Sequence, residues 1–326
     1  MIYNDIPTSI DYGKLNLEIV TNFINAVGKR VEGTSDRPIA CLLSGGLDSS
    51  LVCALVNKYH INNENYKNKL ETYSIGLPGS EDLKHAKIVA DHLDTDHHEI
   101  IVSEEDFFYA IPEVIHTIES YDTTTVRASV GNYLVAKYIK EHSEAKVIFN
   151  GDGADELMGG YLYFHKAPDV YEFDKECKRL LQDISKFDVL RSDKSISSNG
   201  LEPRTPFLDR QWIEFYLSIS KNIRFHSKNE QCEKFLIRNA FYELMPELLP
   251  KEILWRTKEA FSDGVSGLKR SWFQIINENI EKLCLEDNKL SKILGDNIEM
   301  YKKLKLHNPP TTIEQSYYRY LYNKNY

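Results

Sequence analysis

The sequence predicts an α/β protein: a doubly wound, mostly parallel sheet followed by a helical C-terminal part. Two observations carry this. Between Leu15 and Asn150, short apolar runs alternate with amphipathic runs, strand and helix in turn. Three turn-rich stretches, Ser44 to Ser50, Leu77 to Ser80 and Asn150 to Asp155, follow such apolar runs. They fall where parallel sheets bind ligands, beyond the carboxyl ends of the strands.

The elements follow in order. Leu15 to Arg30 repeats apolar residues at helical spacing and predicts a helix. Ile39 to Leu43, IACLL, reads as a buried strand, and Ser49 to Tyr59 as a helix opened by serine. His60 to Lys69 is polar and reads as a surface loop. Thr72 to Gly76 is a strand, Ser80 to Leu93 a helix with a capping start, and His98 to Val102 a strand. Glu104 to Glu119 and Ala128 to His142 read as helices, and Lys146 to Asn150 as a strand running into NGDGADELMGGY. After Tyr161 strand signals become rare, and Gln211 to Ile219 and Glu233 to Leu244 read as helices. The expected organisation is a lead-in helix over 1–36, a nucleotide-binding core over 37–160 and a mainly helical part over 161–326.

Composition narrows the function. The chain has 326 residues and a net charge of -9, which argues against a nucleic-acid or anionic-membrane surface. No apolar run is long enough to span a bilayer, and the N-terminus does not read as a secretory signal. Cys41, Cys53, Cys177, Cys232 and Cys284 are scattered, with no CxxC pair. That excludes a zinc ribbon or a disulfide framework and fits a reduced cytoplasmic setting. His97 and His98 are adjacent strand residues on opposite faces, so they do not chelate together.

The stretch LLSGGLDSS, Leu42 to Ser50, carries the first chemical signal. A glycine-rich turn between strand and helix aims backbone N–H groups at one point, and the helix adds its positive end. The spacing is neither GxxxxGK[ST] nor GxGxxG, and no lysine lies in it. Asp48 would repel phosphate unless a cation lay between them, so a nucleotide here implies Mg²⁺. The glycines alone fit equally well a strand-to-helix turn with Asp and Ser as caps.

SGGLDSS as a whole resembles the pyrophosphate loop of the N-type ATP pyrophosphatases (the PP-loop superfamily). That resemblance implies an adenine nucleotide alpha hydrolase-like fold and cleavage of ATP between the α and β phosphates. YSIGLPGS, IESYDTTTVRAS, GDGADELMGGYLYFHKAP, GLEPRTPFLD and WRTKEAFSDGV resemble the synthetase domain of glutamine-hydrolysing asparagine synthetases, from about Pro38 to Gly267. NPPTTIEQSYYR is a weaker continuation. The resemblance implies a ligase that adenylates the side-chain carboxylate of aspartate and then lets ammonia displace AMP. It implies that Leu43, Ile75, Asn150 and Gly151 contact the nucleotide and that Ser44, Gly45, Gly46, Ser49 and Ser50 hold the pyrophosphate. It places Mg²⁺ on Asp48 and Asp155, Lys258 on the phosphates, Arg127 and Thr124 near the α-phosphate, and Asp152 at the intermediate. Read without it, Asp155 and Glu156 are helix caps, Arg127 is a helix-start surface residue and Lys258 an ordinary solvated lysine. Asp263-Gly264 reads as a turn.

Two departures stand out. The family usually has Ser-Gly-Glu-Gly-Ser-Asp-Glu where this chain has Asn150 to Glu156, so Asp152 is one methylene short. Glutaminase domains of the family use a cysteine directly after the first methionine. Here Ile2 follows Met1, and the first cysteine, Cys41, lies in a strand. The expectation is a chain with no glutaminase activity of its own. It uses free ammonia, receives it from a separate glutaminase subunit, or is part of a longer protein. The expected partners are therefore small molecules: ATP, aspartate and ammonia. A related adenylate-forming ligase of the β-lactam synthetase type, or a non-catalytic nucleotide-binding paralogue, is the alternative.

Overall fold

The computed structural model describes residues 11–34, 36–63, 67–226, 231–257 and 270–326. Its centre is a five-stranded parallel sheet in the order β3-β2-β1-β4-β5. The strands are β1 (Ile39–Leu42), β2 (Glu71–Gly76), β3 (Asp96–Ile101), β4 (Val147–Phe149) and β5 (Glu202–Arg204). The chain steps outward from β1 through β2 to β3, then returns to the other side of β1 for β4. The order therefore reverses between β1 and β4, and a crevice opens there at the carboxyl ends of the strands.

Alternation along the strands fixes both faces. Ile39, Cys41, Val147 and Phe149 point into one core, and Ala40 and Ile148 into the other. The first core is covered by α1 (Tyr12–Glu32), α2 (Leu47–Ile61) and α3 (Glu81–Leu93). Helices Arg210–Ser218 and Phe235–Leu244 complete it. The second is covered by α4 (Glu104–Tyr109), α5 (Ile111–Ile118) and α6 (Thr123–His142), with three C-terminal helices, Trp272–Glu286, Asn288–Lys303 and Ile313–Asn325. Apolar helices on both sides explain why β1 and β4 read as unbroken apolar runs.

Local differences from the sequence reading have physical reasons. The run Glu104 to Glu119 is two helices, because Pro112 supplies no N–H and the chain re-enters at Ile111 with proline in the first turn. The helix expected from Ala128 starts at Thr123, where the side chain of Asp122 accepts the Thr125 N–H at 2.8 Å. That puts Thr124 and Arg127 in its first two turns. The fifth strand lies within the part read as helical. It is only three residues long and contains Pro203, so it carries no strand pattern. It pairs with β4 through Asn150 N–H to Arg204 O at 3.0 Å.

α1 is built into the core. Asp11 caps it, and Phe23 is fully buried among Phe207, Trp212 and Phe241, with ring centroids at 4.3, 5.0 and 6.2 Å. His97 and His98 do point apart. His97 meets Thr72 Oγ1 at 2.9 Å and Ser74 Oγ at 3.1 Å, while His98 stacks on Tyr73 at 4.9 Å. Cys41 and Cys53 are buried and free, and burial pushes the Cys41 thiol up. Among the described residues no helix is long and apolar enough to cross a membrane.

Replacing Phe23 by alanine is expected to lower the unfolding free energy by about 3–5 kcal/mol in urea denaturation, through the cavity left between α1 and the helical part. Burial holds the His97 imidazole down at about 4, so the unfolded chain takes up its proton first. Stability is therefore expected to fall as pH drops from about 6.5 to about 4. The loss should be on the order of 2 kcal/mol and absent from His97→Gln, read by urea melts at the two ends of that window.

Candidate active site

The crevice between β1 and β4 holds a cavity of about 380 Å³. Two glycine-bearing loops build its floor. In the first, after β1, Gly45 has φ +70°, and a Cβ there would lie 2.4 Å from the Ala86 backbone nitrogen of α3. Only glycine fits that turn and that approach. Gly46 then stands at the N-cap of α2 in extended conformation, so the first N–H groups of the helix face the cavity. Ser44 and Ser49 brace the turn. Their hydroxyls are 3.0 Å apart, and the Ser44 N–H donates to Ser49 Oγ at 3.2 Å. Arg256 ties the loop to α3, donating to Asp82 at 2.9 Å and to Ser44 O at 3.5 Å.

The second loop, after β4, lies against the first. A Cβ on Gly151 would come within 2.7 Å of the Ser49 nitrogen, so this glycine sets how closely the loops meet. Asn150 is buried and pins the loop. Its Nδ2 donates to Ser192 Oγ at 2.8 Å, and its Oδ1 accepts the Asp152 N–H at 3.2 Å. Helix α7 (Ala154–Met158) begins directly afterwards at the N-cap Gly153, so Asp155 and Glu156 lie in its first turn rather than capping it.

The cavity wall contains Leu43, Ser44, Gly46, Asp48, Ser49 and Ile75 from the first strands and their loops. Thr124 and Arg127 come from α6, and Asn150, Gly151, Asp152 and Asp155 from the second loop. Gly45 and Ser50 sit behind the wall, Gly45 against α3 and Ser50 fully buried. Lys258 and the Asp263-Gly264 turn lie outside the described residues.

The electrostatics are crowded. Asp48 and Asp155 converge on the ammonium of Lys234, at 2.5 and 2.6 Å. Asp152 faces Arg191 at 3.4 Å, and Arg191 also reaches Asp188 at 3.1 Å. Burial raises the Asp152 carboxyl, against the lowering effect of Arg191. Glu156 is buried, accepts a hydrogen bond from Tyr161 and is pushed up to about 8, first by burial and then by Asp188 and Asp155. Arg127 is not a free surface arginine. Its Nε donates to Glu314 Oε1 at 2.7 Å and its Nη2 to Oε2, and the guanidinium lies 4.6 Å over Phe273.

Sequence reasoning missed Lys234, Arg191, Arg256 and Glu314. Lys234 and Arg191 belong to stretches without glycine-rich or acidic motifs. Glu314 lies in NPPTTIEQSYYR, the one flagged stretch whose resemblance was weakest. The usable signal was charge: several carboxylates in one crevice require cations from elsewhere in the chain.

Mg²⁺ fits this donor set. Asp48 Oδ1 is a buried oxygen without a hydrogen-bond partner. Asp48 and Asp155 present hard oxygen donors to one point, and Mg²⁺ typically takes one or two carboxylates together with substrate phosphates.

Comparison with known proteins bears on this site. The asparagine synthase family model matches residues 18–175 and 171–294. The chain is 45% identical over 322 residues to "Asparagine synthetase [glutamine-hydrolyzing]" of Gallus gallus, covering 99% of this chain and 54% of that protein. The protein of the same name from Homo sapiens is 44% identical over 317 residues, covering 97% and 53%. That from Bos taurus is 43% identical over 317 residues, with the same coverage. The chain spans about half the length of the curated relatives it matches. With a family match over most of its length and both glycine loops on one cavity, this chain belongs to the asparagine synthase family.

Proposed function

We propose that this chain makes asparagine from aspartate, ATP and ammonia. The observation that carries the reading is the meeting of the Ser44–Ser50 and Asn150–Asp155 loops at one cavity, where Asp48 and Asp155 share a single cationic point. In a parallel sheet that point lies beside the α2 N-terminus, where a nucleotide's phosphates gain most.

In this reading Leu43, Ile75, Asn150 and Gly151 hold the nucleoside. Ser44, Gly45, Gly46, Ser49 and Ser50 shape the pyrophosphate loop, the last by packing behind it. Bound between Asp48 and Asp155, Mg²⁺ supplies positive charge against the phosphate oxygens. Thr124 and Arg127 face the α-phosphate from α6, and Lys258 acts on the phosphates as its motif implies. Arg191, with its fork of donors, suits a carboxylate of the amino-acid substrate.

The substrate's side-chain carboxylate attacks the α-phosphorus, the bond to the β-phosphate oxygen breaks, and pyrophosphate leaves. Ammonia then attacks the acyl carbon, AMP leaves and one proton is lost from nitrogen. Asp152, with its carboxyl raised by burial, is the candidate we assign to take that proton. The ammonia arrives free or from a separate glutaminase. The nucleotide unit is 37–160, and residues beyond 160 complete the site with Arg191, Lys234 and Glu314. The free, buried Cys41, Cys53 and Cys177 suit a cytoplasmic enzyme.

Incubation with ATP, Mg²⁺, aspartate and ammonium is expected to yield asparagine, AMP and pyrophosphate in equal amounts. Asp48→Asn should reduce the yield at least a hundredfold. Retained nucleotide binding with no AMP formed in the wild type would falsify the reading. Glu314→Gln removes the charge opposite Arg127 and is expected to lower stability by about 2 kcal/mol. Hydrogen exchange should show faster opening of the Ile313–Asn325 helix, and kcat/KM for ATP should fall because Arg127 is no longer held.

A further inference from the structure

Lys234 is the least expected feature of the cavity. It comes from the edge of the helical part, 186 residues from Asp48, yet its side chain is only 1% exposed. Its ammonium lies 2.5 Å from Asp48 Oδ2 and 2.6 Å from Asp155 Oδ1, the two carboxylates read as the metal ligands. A buried ammonium is stable only when paired this closely.

The surroundings are shaped for it. Lys234 has φ +59°, a left-handed conformation uncommon for a side-chain-bearing residue, at the N-cap of helix Phe235–Leu244. Arg238, one turn on, is locked to Glu233 at 2.5 Å, and its Nε donates to Glu233 O at 2.9 Å. Gly160 opens the path for the lysine stem. A Cβ there would lie 2.1 Å from Lys234 Cε and 2.1 Å from Asp155 Oδ1. The glycine after α7 is therefore needed for the lysine to reach its place.

We propose that Lys234 is a tethered stand-in for the divalent cation. It holds Asp48 and Asp155 together in the nucleotide-free chain and keeps free divalent ions out until a nucleotide arrives. This rests on the reading of Asp48 and Asp155 as the Mg²⁺ carboxylates. Two carboxylates facing one point repel and splay unless a cation lies between them. An ammonium attached to the chain is always present at high local concentration. A free divalent ion would have to displace it for two carboxylate ligands alone. A nucleotide changes that balance twice. Its phosphates complete the oxygen shell of the metal, and they give the displaced Lys234 ammonium a new acceptor. Lys234 is thus a positioning residue for the metal site, and metal entry is made conditional on nucleotide.

Mn²⁺ binding, read as loss of the free-ion signal in electron paramagnetic resonance, tests this without any turnover. Wild type should bind Mn²⁺ weakly alone and tightly with a non-hydrolysable ATP analogue. Lys234→Met should bind Mn²⁺ at least tenfold more tightly than wild type without nucleotide, and adding Asp48→Asn should abolish the gain. Nucleotide-free affinities within twofold of each other overturn the stand-in, even where the analogue still recruits Mn²⁺. If wild type binds no Mn²⁺ even with the analogue, the metal reading of Asp48 and Asp155 fails instead. Should circular dichroism show Lys234→Met unfolded, the same titration on Lys234→Gln decides, with the same outcomes.

Discussion

The close approach of the two loops on β1 and β4 is the constraint on which the rest of the site depends. The strands are parallel neighbours, so their carboxyl ends deliver Asp48 and Asp155 to the same point. Gly151 removes the side chain that would hold the loops apart. Once two carboxylates converge there, a cation has to follow. The sheet supplies none; Lys234, which answers them, comes from beyond residue 160, as does Arg191, which faces the neighbouring Asp152. The helical part is therefore an electrostatic complement to the nucleotide fold as well as a cover for its core.

The same logic explains why the C-terminal helix docks where it does. Glu314 is 1% exposed, and its bidentate pairing with Arg127 links helix Ile313–Asn325 to the second turn of α6. Tyr317 and Tyr318 bury beside it, in the core that covers α5 and α6. Arg127 thus reaches the cavity from a fixed base, which would suit the phosphate contact proposed for it. A stretch with only a weak motif turns out to orient an arginine of the cavity wall.

Much of the fold was legible in the sequence, because buried parallel strands and amphipathic helices write their own periodicity. β1, β2, β4 and the helices between them follow the apolar pattern to within a few residues. β5 was not legible: three residues with Pro203 show no period, and only pairing with β4 makes them a strand. The split at Ala110 was legible in principle, since Pro112 marks it. The site was half legible. Loop residues such as Ser44, Asp48 and Asn150 lie in stretches that resemble family motifs, and they line one cavity. Lys234 lies in no such stretch, and its meaning depends on two aspartates far away in sequence and on a glycine, Gly160, that clears its path. Sequence spacing reports geometry within one loop and is blind to contacts between distant loops.

The charges on the cavity wall bear on the nucleotide binding proposed for it. Among the described residues, six carboxyl groups line it against five cations: Arg127, Arg191, Lys234, Arg238 and Arg256. Each of those cations is already engaged, with Glu314, Asp152 and Asp188, Asp48 and Asp155, Glu233, and Asp82 respectively. A triphosphate cannot simply add its charge to a wall in this state. In the proposed reading it would bind by exchange, taking over a cation while a carboxylate finds another, and the pair easiest to exchange would be the one for which a divalent ion can substitute. That singles out Lys234. Arg238 and Arg256 hold backbone as well as carboxylate, so moving them would loosen the helix and the loop they brace. Arg238 and Arg256 thus brace the wall, whereas Lys234 is held by two carboxylates, and in the proposed reading that difference sets the order in which phosphate and metal enter.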